Sequence, residues 1–143
     1  MIFRQLFDKT SSTFTYLIAS DKGREALIID PVLENVDRYI ALLRELDLKL
    51  VKVIDTHIHA DHISGMAELR DKTNCVTVMG EQAPANVVSM KVSDGENINL
   101  DGINIKALYT PGHTSESYSF LMKDRVFTGD TLLIRGTGRT DFQ

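Results

Sequence analysis

The chain has 143 residues with a formal net charge of -4, and 43% of its residues are hydrophobic and 25% charged. This length predicts one domain, since domains contain about 150 residues, and it is enough to bury a real core. The composition excludes a disordered or collagen-like chain. The scattered Lys and Arg residues form no basic stripe, so nucleic acid is excluded as a partner.

The sequence also predicts no association with a membrane. No apolar run approaches the ~20 residues that a membrane span requires. Charged residues at Arg4, Asp8 and Lys9 interrupt the position where a signal peptide would have its apolar core. The single cysteine, Cys75, excludes an internal disulfide framework and opens an apolar run typical of a buried strand. We therefore expect a cytoplasmic protein.

The first third of the sequence predicts an antiparallel sheet followed by a helix. Residues 2–7, 13–19 and 26–30 are three β-rich runs separated by turn residues. Apolar residues then recur at intervals of three and four over residues 33–46, which is the period of a helix. A further apolar run over residues 50–54 completes a β-α-β unit, which implies parallel strands and a right-handed crossover.

A cluster of histidines follows this last strand. Residues 56–62 read Thr-His-Ile-His-Ala-Asp-His and contain three of the four histidines of the chain. In an extended segment His57 and His59 point to the same side, and a turn at Ala60 could bring Asp61 and His62 to the same place. Imidazole and carboxylate groups together suit Zn, Mn or Fe. The sequence therefore predicts a metal site at the carboxyl end of a buried strand.

The second half predicts a short helix over residues 64–72, a buried strand over 75–79 and two hairpins. Residues 80–90 have no clear period and predict no particular structure. The first hairpin joins residues 97–100 to 103–109 through Asp101-Gly102, a signal for a type I′ turn. The second hairpin joins residues 118–122 to 125–127 through Lys123-Asp124.

Two further candidate ligands stand just past strand ends in this half. His113 follows the first hairpin and Asp130 follows the second, and each is preceded by a glycine that allows a sharp backbone turn. An Asp after Gly is most often a turn or cap residue. Because the chain also has four histidines at strand-to-loop junctions, we interpret Asp130 as a metal ligand.

These motifs resemble those of a known family. The H-x-H-x-D-H run, the later Pro-Gly-His and the Thr-Gly-Asp are similar to the metallo-β-lactamase superfamily, in the branch of glyoxalase II and the persulfide dioxygenases. The closing run over residues 132–143, LLIRGTGRTDFQ, resembles specifically the persulfide dioxygenases. The resemblance implies an α/β fold of the αββα sandwich type.

The resemblance also implies a ligand set for one Fe(II) per chain. In the dioxygenase pattern His57, His113 and Asp130 are the ligands, and His59, Asp61 and His62 are outer-shell groups. Two histidines and one carboxylate on one face of ferrous iron leave positions open for dioxygen and a substrate sulfur. The same ligands accept zinc if zinc is more available.

A hydrolase of the glyoxalase II type would use the same side chains differently. His57, His59 and His113 would hold one metal, and Asp61 and His62 a second. Asp130 would bridge the two metals, and a shared water would be the nucleophile. A third reading is an inactive metal-binding or interaction domain.

The chain departs from the family pattern in two places. After His113 the family usually has a Thr-Pro-Gly turn, whereas here Thr114 is followed by Ser115, Glu116 and Ser117. The chain also stops at Gln143, where the family polypeptide continues through further strands and helices and supplies another histidine. We therefore expect a single domain over residues 1–143 that lacks the C-terminal part of the fold. Such a chain would be part of a longer protein or would associate with another copy of itself.

The resemblance implies a function as well. We expect a persulfide dioxygenase that oxidises glutathione persulfide to sulfite with dioxygen, its partners being these small molecules. Arg135 and Arg139 are candidates for pairing with a glutathione carboxylate, with Arg139 preferred. Either arginine could equally hold its own loop by bonding carbonyl groups.

Overall fold

The computed structural model describes residues 1–59, 63–84, 88–112 and 114–129. The described part of the chain contains ten strands and two α-helices, which form two sheets and one helical layer. In chain order the elements are β1 (Ile2–Asp8), β2 (Thr13–Ala19), β3 (Glu25–Ile29), α1 (Val36–Glu45), β4 (Lys49–Ile54), α2 (Met66–Thr73), β5 (Val76–Gly80), β6 (Met90–Val92), β7 (Asn97–Leu100), β8 (Ile103–Tyr109), β9 (Tyr118–Leu121) and β10 (Val126–Phe127).

The larger sheet has six strands in the order β1-β2-β3-β4-β5-β6. Strands β1, β2 and β3 pair antiparallel, as the sequence predicts. From β3 onwards the pairs are parallel, which confirms the predicted crossover through the first helix. Because parallel neighbours end at the same edge, the carboxyl ends of β3, β4 and β5 meet there.

The smaller sheet consists of the two predicted hairpins, in the order β10-β9-β8-β7. The β7–β8 turn has positive φ angles at both Asp101 (47°) and Gly102 (86°), as a type I′ turn requires. Strand β6 was not predicted, and it begins at Met90, the last residue of the stretch that the sequence left open. It is only three residues long and pairs parallel with β5.

Alternating side chains of the larger sheet supply two separate cores. On β3, Ala26 and Ile28 face the helices, whereas Leu27 and Ile29 face the smaller sheet. All four are buried, as expected of a central strand covered on both sides. Among the described residues the layers are therefore helix, sheet and sheet, in agreement with the expected sandwich. Among the described residues, helices pack only on the face of the larger sheet that is opposite the smaller sheet.

The first helix begins later than its apolar period suggests. Leu33–Asn35 form a turn of 3-10 helix, and the α-helix starts at Val36. Its buried residues Val36, Tyr39 and Leu43 pack on the sheet. No helix among the described residues is long and apolar enough to cross a membrane.

Candidate metal centre

The predicted metal site lies where β3 and β4 end. Ile29 pairs with Ile54 at the last register position of these two strands. The amide of Asp30 donates to the Ile54 carbonyl at 2.8 Å, so Asp30 and the residues after β4 begin side by side. Asp30 has a φ of 56°, in the left-handed region that Asp tolerates better than most residues. The chain thus turns sharply at Asp30, beside the start of the histidine segment.

The Asp30 carboxylate is bonded to both polar groups of Thr56. Its Oδ1 accepts the Thr56 amide proton at 2.8 Å, and its Oδ2 accepts the Thr56 hydroxyl proton at 2.8 Å. Burial by itself raises the pKa of Asp30, but His59, His57 and the hydrogen bond from the Thr56 amide together outweigh burial and hold that pKa below its usual value. Asp30 is therefore an ionised acceptor, although it is buried.

This contact fixes which nitrogen of His57 carries the proton. The hydroxyl of Thr56 has one hydrogen, and that hydrogen is donated to Asp30. The same oxygen lies 2.8 Å from Nδ1 of His57, so Nδ1–H must be the donor in this second bond. The lone pair of the neutral ring is then on Nε2. A chain of two hydrogen bonds from Asp30 thus leaves Nε2 as the nitrogen of His57 that could coordinate a metal.

His59 lies beside His57 and is held by the same carboxylate. The two rings have centroids 4.2 Å apart, which confirms that both histidines point to one side. Nε2 of His59 is 3.1 Å from Oδ1 of Asp30 and donates a proton to it, because an ionised carboxylate can only accept. In a neutral His59 ring the lone pair is therefore on Nδ1.

A second carboxylate, Asp55, faces His59 from the other side. Its Oδ1 lies 3.9 Å from Nε2 of His59, and its side chain is 5% exposed. Burial raises the pKa of Asp55 to about 7, the nearby Asp30 adds to the rise, and His59 opposes it. The pKa of Asp55 thus lies well above that of its ionised neighbour Asp30.

Asp30, Asp55 and His59 have ligand atoms within 4.8 Å of one another, close enough to hold a metal ion. The hydrogen bonds favour a different role for Asp30. Both of its oxygens accept protons from Thr56, and Oδ1 also accepts from His59. A metal bound there would have to displace these bonds, so we interpret Asp30 as the group that orients the histidines.

A cavity of about 380 Å³ borders this cluster on the side of α2. Its polar lining includes Asp55, His59 and Arg70, and Ile58 and Ile63 are among its apolar residues. His57 does not line this cavity. The space therefore adjoins the carboxyl groups and His59 rather than the His57 ring.

The loops that carry the other predicted ligands are attached to the same segment. The amide of Tyr118 donates to the Thr56 carbonyl at 2.8 Å, which ties the chain after His113 to the residue before His57. Gly129, which precedes Asp130, lies so close that an added Cβ would overlap the Thr56 hydroxyl and come within 3.2 Å of Nδ1 of His57. The chain thus approaches His57 at the residue before Asp130.

Of the predicted site residues, the structure brings His57 and His59 together. The remaining ones lie outside the described residues: Asp61, His62, His113, Asp130, Arg135 and Arg139. The sequence reasoning missed Asp30, Asp55, Thr56 and Glu116. Asp30 and Asp55 each follow a buried strand directly, and this was the one sequence signal that could have found them.

The chain is similar in sequence to known proteins. A family model described as the metallo-beta-lactamase superfamily matches residues 9–87. The chain is 42% identical over 146 residues to "Persulfide dioxygenase ETHE1, mitochondrial" of Homo sapiens, an alignment that covers 100% of this chain and 57% of that relative. It is 36% identical over 140 residues to a hydroxyacylglutathione hydrolase of Rhodopseudomonas palustris (strain BisB18), covering 94% of this chain and 54% of the relative.

A solved structure has the same fold over the whole chain. The crystal structure of ETHE1 from Myxococcus xanthus superposes with a TM-score of 0.95 at 52% identity, covering 100% of this chain and 63% of that one. The chain spans 57% of the length of the human relative. Because the family model matches more than half of the sequence and the fold agrees, this chain belongs to the metallo-β-lactamase superfamily.

Proposed function

We propose that this chain carries the metal centre of a persulfide dioxygenase, which oxidises glutathione persulfide to sulfite with dioxygen at one Fe(II). The observation that carries the proposal is the 42% identity, over the whole chain, to a relative named as a persulfide dioxygenase. The hydrogen bonds from Asp30 through Thr56 to His57 support it, because they present an imidazole nitrogen ready for coordination.

The ligands in this proposal are His57, His113 and Asp130. A neutral imidazole of fixed tautomer, a second imidazole and a carboxylate make a donor set that fits Fe(II). The close packing of Gly129 on Thr56 and His57 supports Asp130 as the carboxylate ligand, since Asp130 is the next residue. When bound, ferrous iron would supply the redox chemistry towards dioxygen that no side chain offers.

The other polar residues of the motif have supporting roles. His59 donates Nε2–H to Asp30, so it braces the carboxylate that orients His57. Asp61 and His62 complete this outer shell in the proposal. Arg139, with Arg135 as the second choice, would pair with a carboxylate of glutathione through a two-pronged contact.

The chain as a whole is proposed to act as one metallo-β-lactamase-like domain. Its partners would be glutathione persulfide and dioxygen, with no nucleic acid or membrane. Analytical ultracentrifugation would test whether the chain also associates with a second copy of itself. A cytoplasmic location stays a prediction, and the human relative is named as mitochondrial.

The second candidate is a thioester hydrolase of the glyoxalase II type with two metals, zinc being the natural choice. The 36% identity to a hydroxyacylglutathione hydrolase favours it. The described geometry accommodates this alternative, because the His57 and His59 rings lie 4.2 Å apart and could both face one metal. An inactive metal-binding domain is the third candidate.

The metal and the reaction decide between these candidates. Protein purified without air should carry about one iron per chain, by the ligand count of the triad. It should consume oxygen when given glutathione persulfide. Two zinc ions per chain with thioester hydrolysis and no oxygen uptake would favour the hydrolase, and metal binding without either reaction would favour the inactive domain.

Substitution of single histidines tests the ligand assignment. His113→Ala should abolish iron binding, because it removes one of three ligands. His59→Ala should leave most of the iron in place, since losing an outer-shell group costs about 10–100-fold in affinity or activity. Complete loss of iron from both variants would contradict the assignment of His59 to the outer shell.

A further inference from the structure

The loop after β8 reaches the histidine segment through one buried carboxylate. Oε1 of Glu116 accepts the amide proton of Ile58 at 2.8 Å, across 58 positions of sequence. Glu116 is 8% exposed. We propose that Glu116 is a positioning residue of the metal centre, which holds the peptide between His57 and His59. This inference rests on the proposed metal centre.

The contact acts on the backbone rather than on a side chain. Ile58 is 45% exposed, so burial of its own side chain does little to hold it in place. Its amide belongs to the peptide group that joins His57 to Ile58. Fixing the direction of that amide restricts the backbone rotation at His57 and Ile58, and with it the position of the backbone that carries the His57 ring.

A second hydrogen bond joins the same two segments on the other side of His57. The amide of Tyr118 donates to the carbonyl of Thr56 at 2.8 Å. Residues 56 and 58 are therefore bonded to residues 118 and 116, one bond on each side of His57. The loop that contains His113 and the segment that contains His57 are thereby held as one unit.

The loop itself is held by local bonds, so that Glu116 extends from a defined position. The amide of Thr110 donates to the Ser117 carbonyl at 3.0 Å. The hydroxyl of Tyr109 donates to the Ser115 carbonyl at 2.7 Å. These two bonds lie on either side of Glu116 in the chain, at Ser115 and Ser117.

Glu116 also brings a charge to the site. Within the described part of the chain, its partner is the Ile58 amide and not a cationic side chain. A largely buried carboxylate attracts a nearby cation more strongly than a carboxylate in water does. A cation held by His57 would be attracted by Glu116 in this way. The hydrogen bond and the charge should therefore each strengthen metal binding, and they can be separated by substitution.

Three variants make this separation. Glu116→Gln keeps an acceptor oxygen and removes the charge. Glu116→Asp keeps the charge and withdraws it from Ile58 by one methylene. Glu116→Ala removes both. Glu96→Ala is the matched control, because Oε1 of Glu96 accepts the Ser93 amide proton at 3.0 Å in an exposed turn.

Two measurements are made on each variant. One is the affinity for Zn²⁺ alone and for Fe(II) alone, by competition with a chelator. The other is hydrogen exchange of the Ile58 amide in the metal-free protein. Glu116→Ala should lose protection of that amide and bind metal about 10–100-fold more weakly, as loss of an outer-shell partner does. Glu116→Gln should keep the protection and lose only part of the affinity, whereas Glu116→Asp should lose the protection. Glu96→Ala should match the wild type in both.

If Glu116→Ala binds metal as tightly as the wild type does, the inference is wrong. This holds whether or not the variant has also lost global stability. If Glu116→Ala does not fold, the Gln and Asp variants decide, because equal Ile58 protection in both would contradict the proposed bond. A wild-type protein that binds metal but does not oxidise persulfide would defeat the proposed function and leave this inference standing. A wild-type protein that binds no metal would defeat both.

Discussion

The carboxylate of Asp30 and the residue Thr56 form a two-point contact, in which one oxygen accepts the Thr56 amide proton and the other the hydroxyl proton, each at 2.8 Å. The two residues are 26 positions apart and meet because β3 and β4 are parallel neighbours that end together. The contact determines the direction of the hydroxyl proton. Through that proton it determines the tautomer of the adjacent His57.

Thr56→Val should weaken metal binding while preserving the shape of the side chain. The variant removes the hydroxyl, so Oδ2 of Asp30 loses its donor and Nδ1 of His57 loses its acceptor. Metal affinity should fall about 10–100-fold, and the unsatisfied carboxylate should reduce the free energy of unfolding by about 1–3 kcal/mol. Thr56→Ser keeps the hydroxyl and should bind metal nearly as well as the wild type. Equal affinities in the Val and Ser variants, measured by chelator competition, would exclude a role for the hydroxyl.

Gly129→Ala should disturb the site through both backbone strain and overlap. Gly129 has a φ of 54°, and an added Cβ would overlap the Thr56 hydroxyl. Gly102 has a φ of 86° with nothing within 4 Å of an added Cβ, so Gly102→Ala isolates the backbone strain of about 1–2 kcal/mol. Gly129→Ala should lose about 1–3 kcal/mol more than this control, from overpacking.

Urea unfolding and metal titration of both glycine variants would check this difference. The Gly102 variant should bind metal as the wild type does, because its turn lies at the far end of the hairpin from His57. Equal losses of stability, with metal affinity kept in both, would mean that Gly129 does not pack against the histidine segment as described.

Gly80→Ala should destabilise the contact between the two sheets. A Cβ at Gly80 would overlap the ring of Tyr118, which is fully buried. The variant should lose about 1–3 kcal/mol of unfolding free energy. The double variant with Tyr118→Leu should lose less than the sum of the two single losses, because the smaller side chain makes room. If the losses of unfolding free energy are additive, Gly80 does not pack closely against the Tyr118 ring.

Local patterns explain why much of this fold could be predicted from the sequence. The Asp101-Gly102 pair specified its turn, and the spacing of His57 and His59 placed both rings on one side. The alternation of apolar residues predicted the two strands of each hairpin. These features depend on neighbours in the chain, so the sequence alone carries them.

The supporting residues of the site could not be predicted because their contacts are distant in sequence. Asp30 reaches Thr56 only through the register of two parallel strands, and Glu116 reaches Ile58 across 58 positions. Neither residue belongs to an apolar period or to one of the histidine motifs. Strand β6, with three residues, was too short to produce a recognisable alternation.

The buried Asp55 predicts a dependence of stability on pH in the metal-free protein. Its pKa is raised to about 7 by burial, whereas an unfolded Asp has a pKa of about 3.9. Between these values the folded state binds more protons than the unfolded state, so the contribution of Asp55 to stability falls as pH rises through this window and levels off above it. Asp30 has the opposite sign, but its lowered pKa places its effect below about pH 4.

Asp55→Asn should remove this fall, because the amide stays neutral throughout. At pH 5 the variant should already be the more stable protein, and its advantage should grow to an amount on the order of a few kcal/mol by pH 7.5. Urea unfolding of both proteins from pH 5 to pH 8 would measure the difference. Asp37→Asn is the control, since the Asp37 side chain is 96% exposed, and its curve should run parallel to that of the wild type. If the Asp55 variant also ran parallel to the wild type, Asp55 would have to be ionised across the whole range, and the proton that we place on it near neutral pH would not be there.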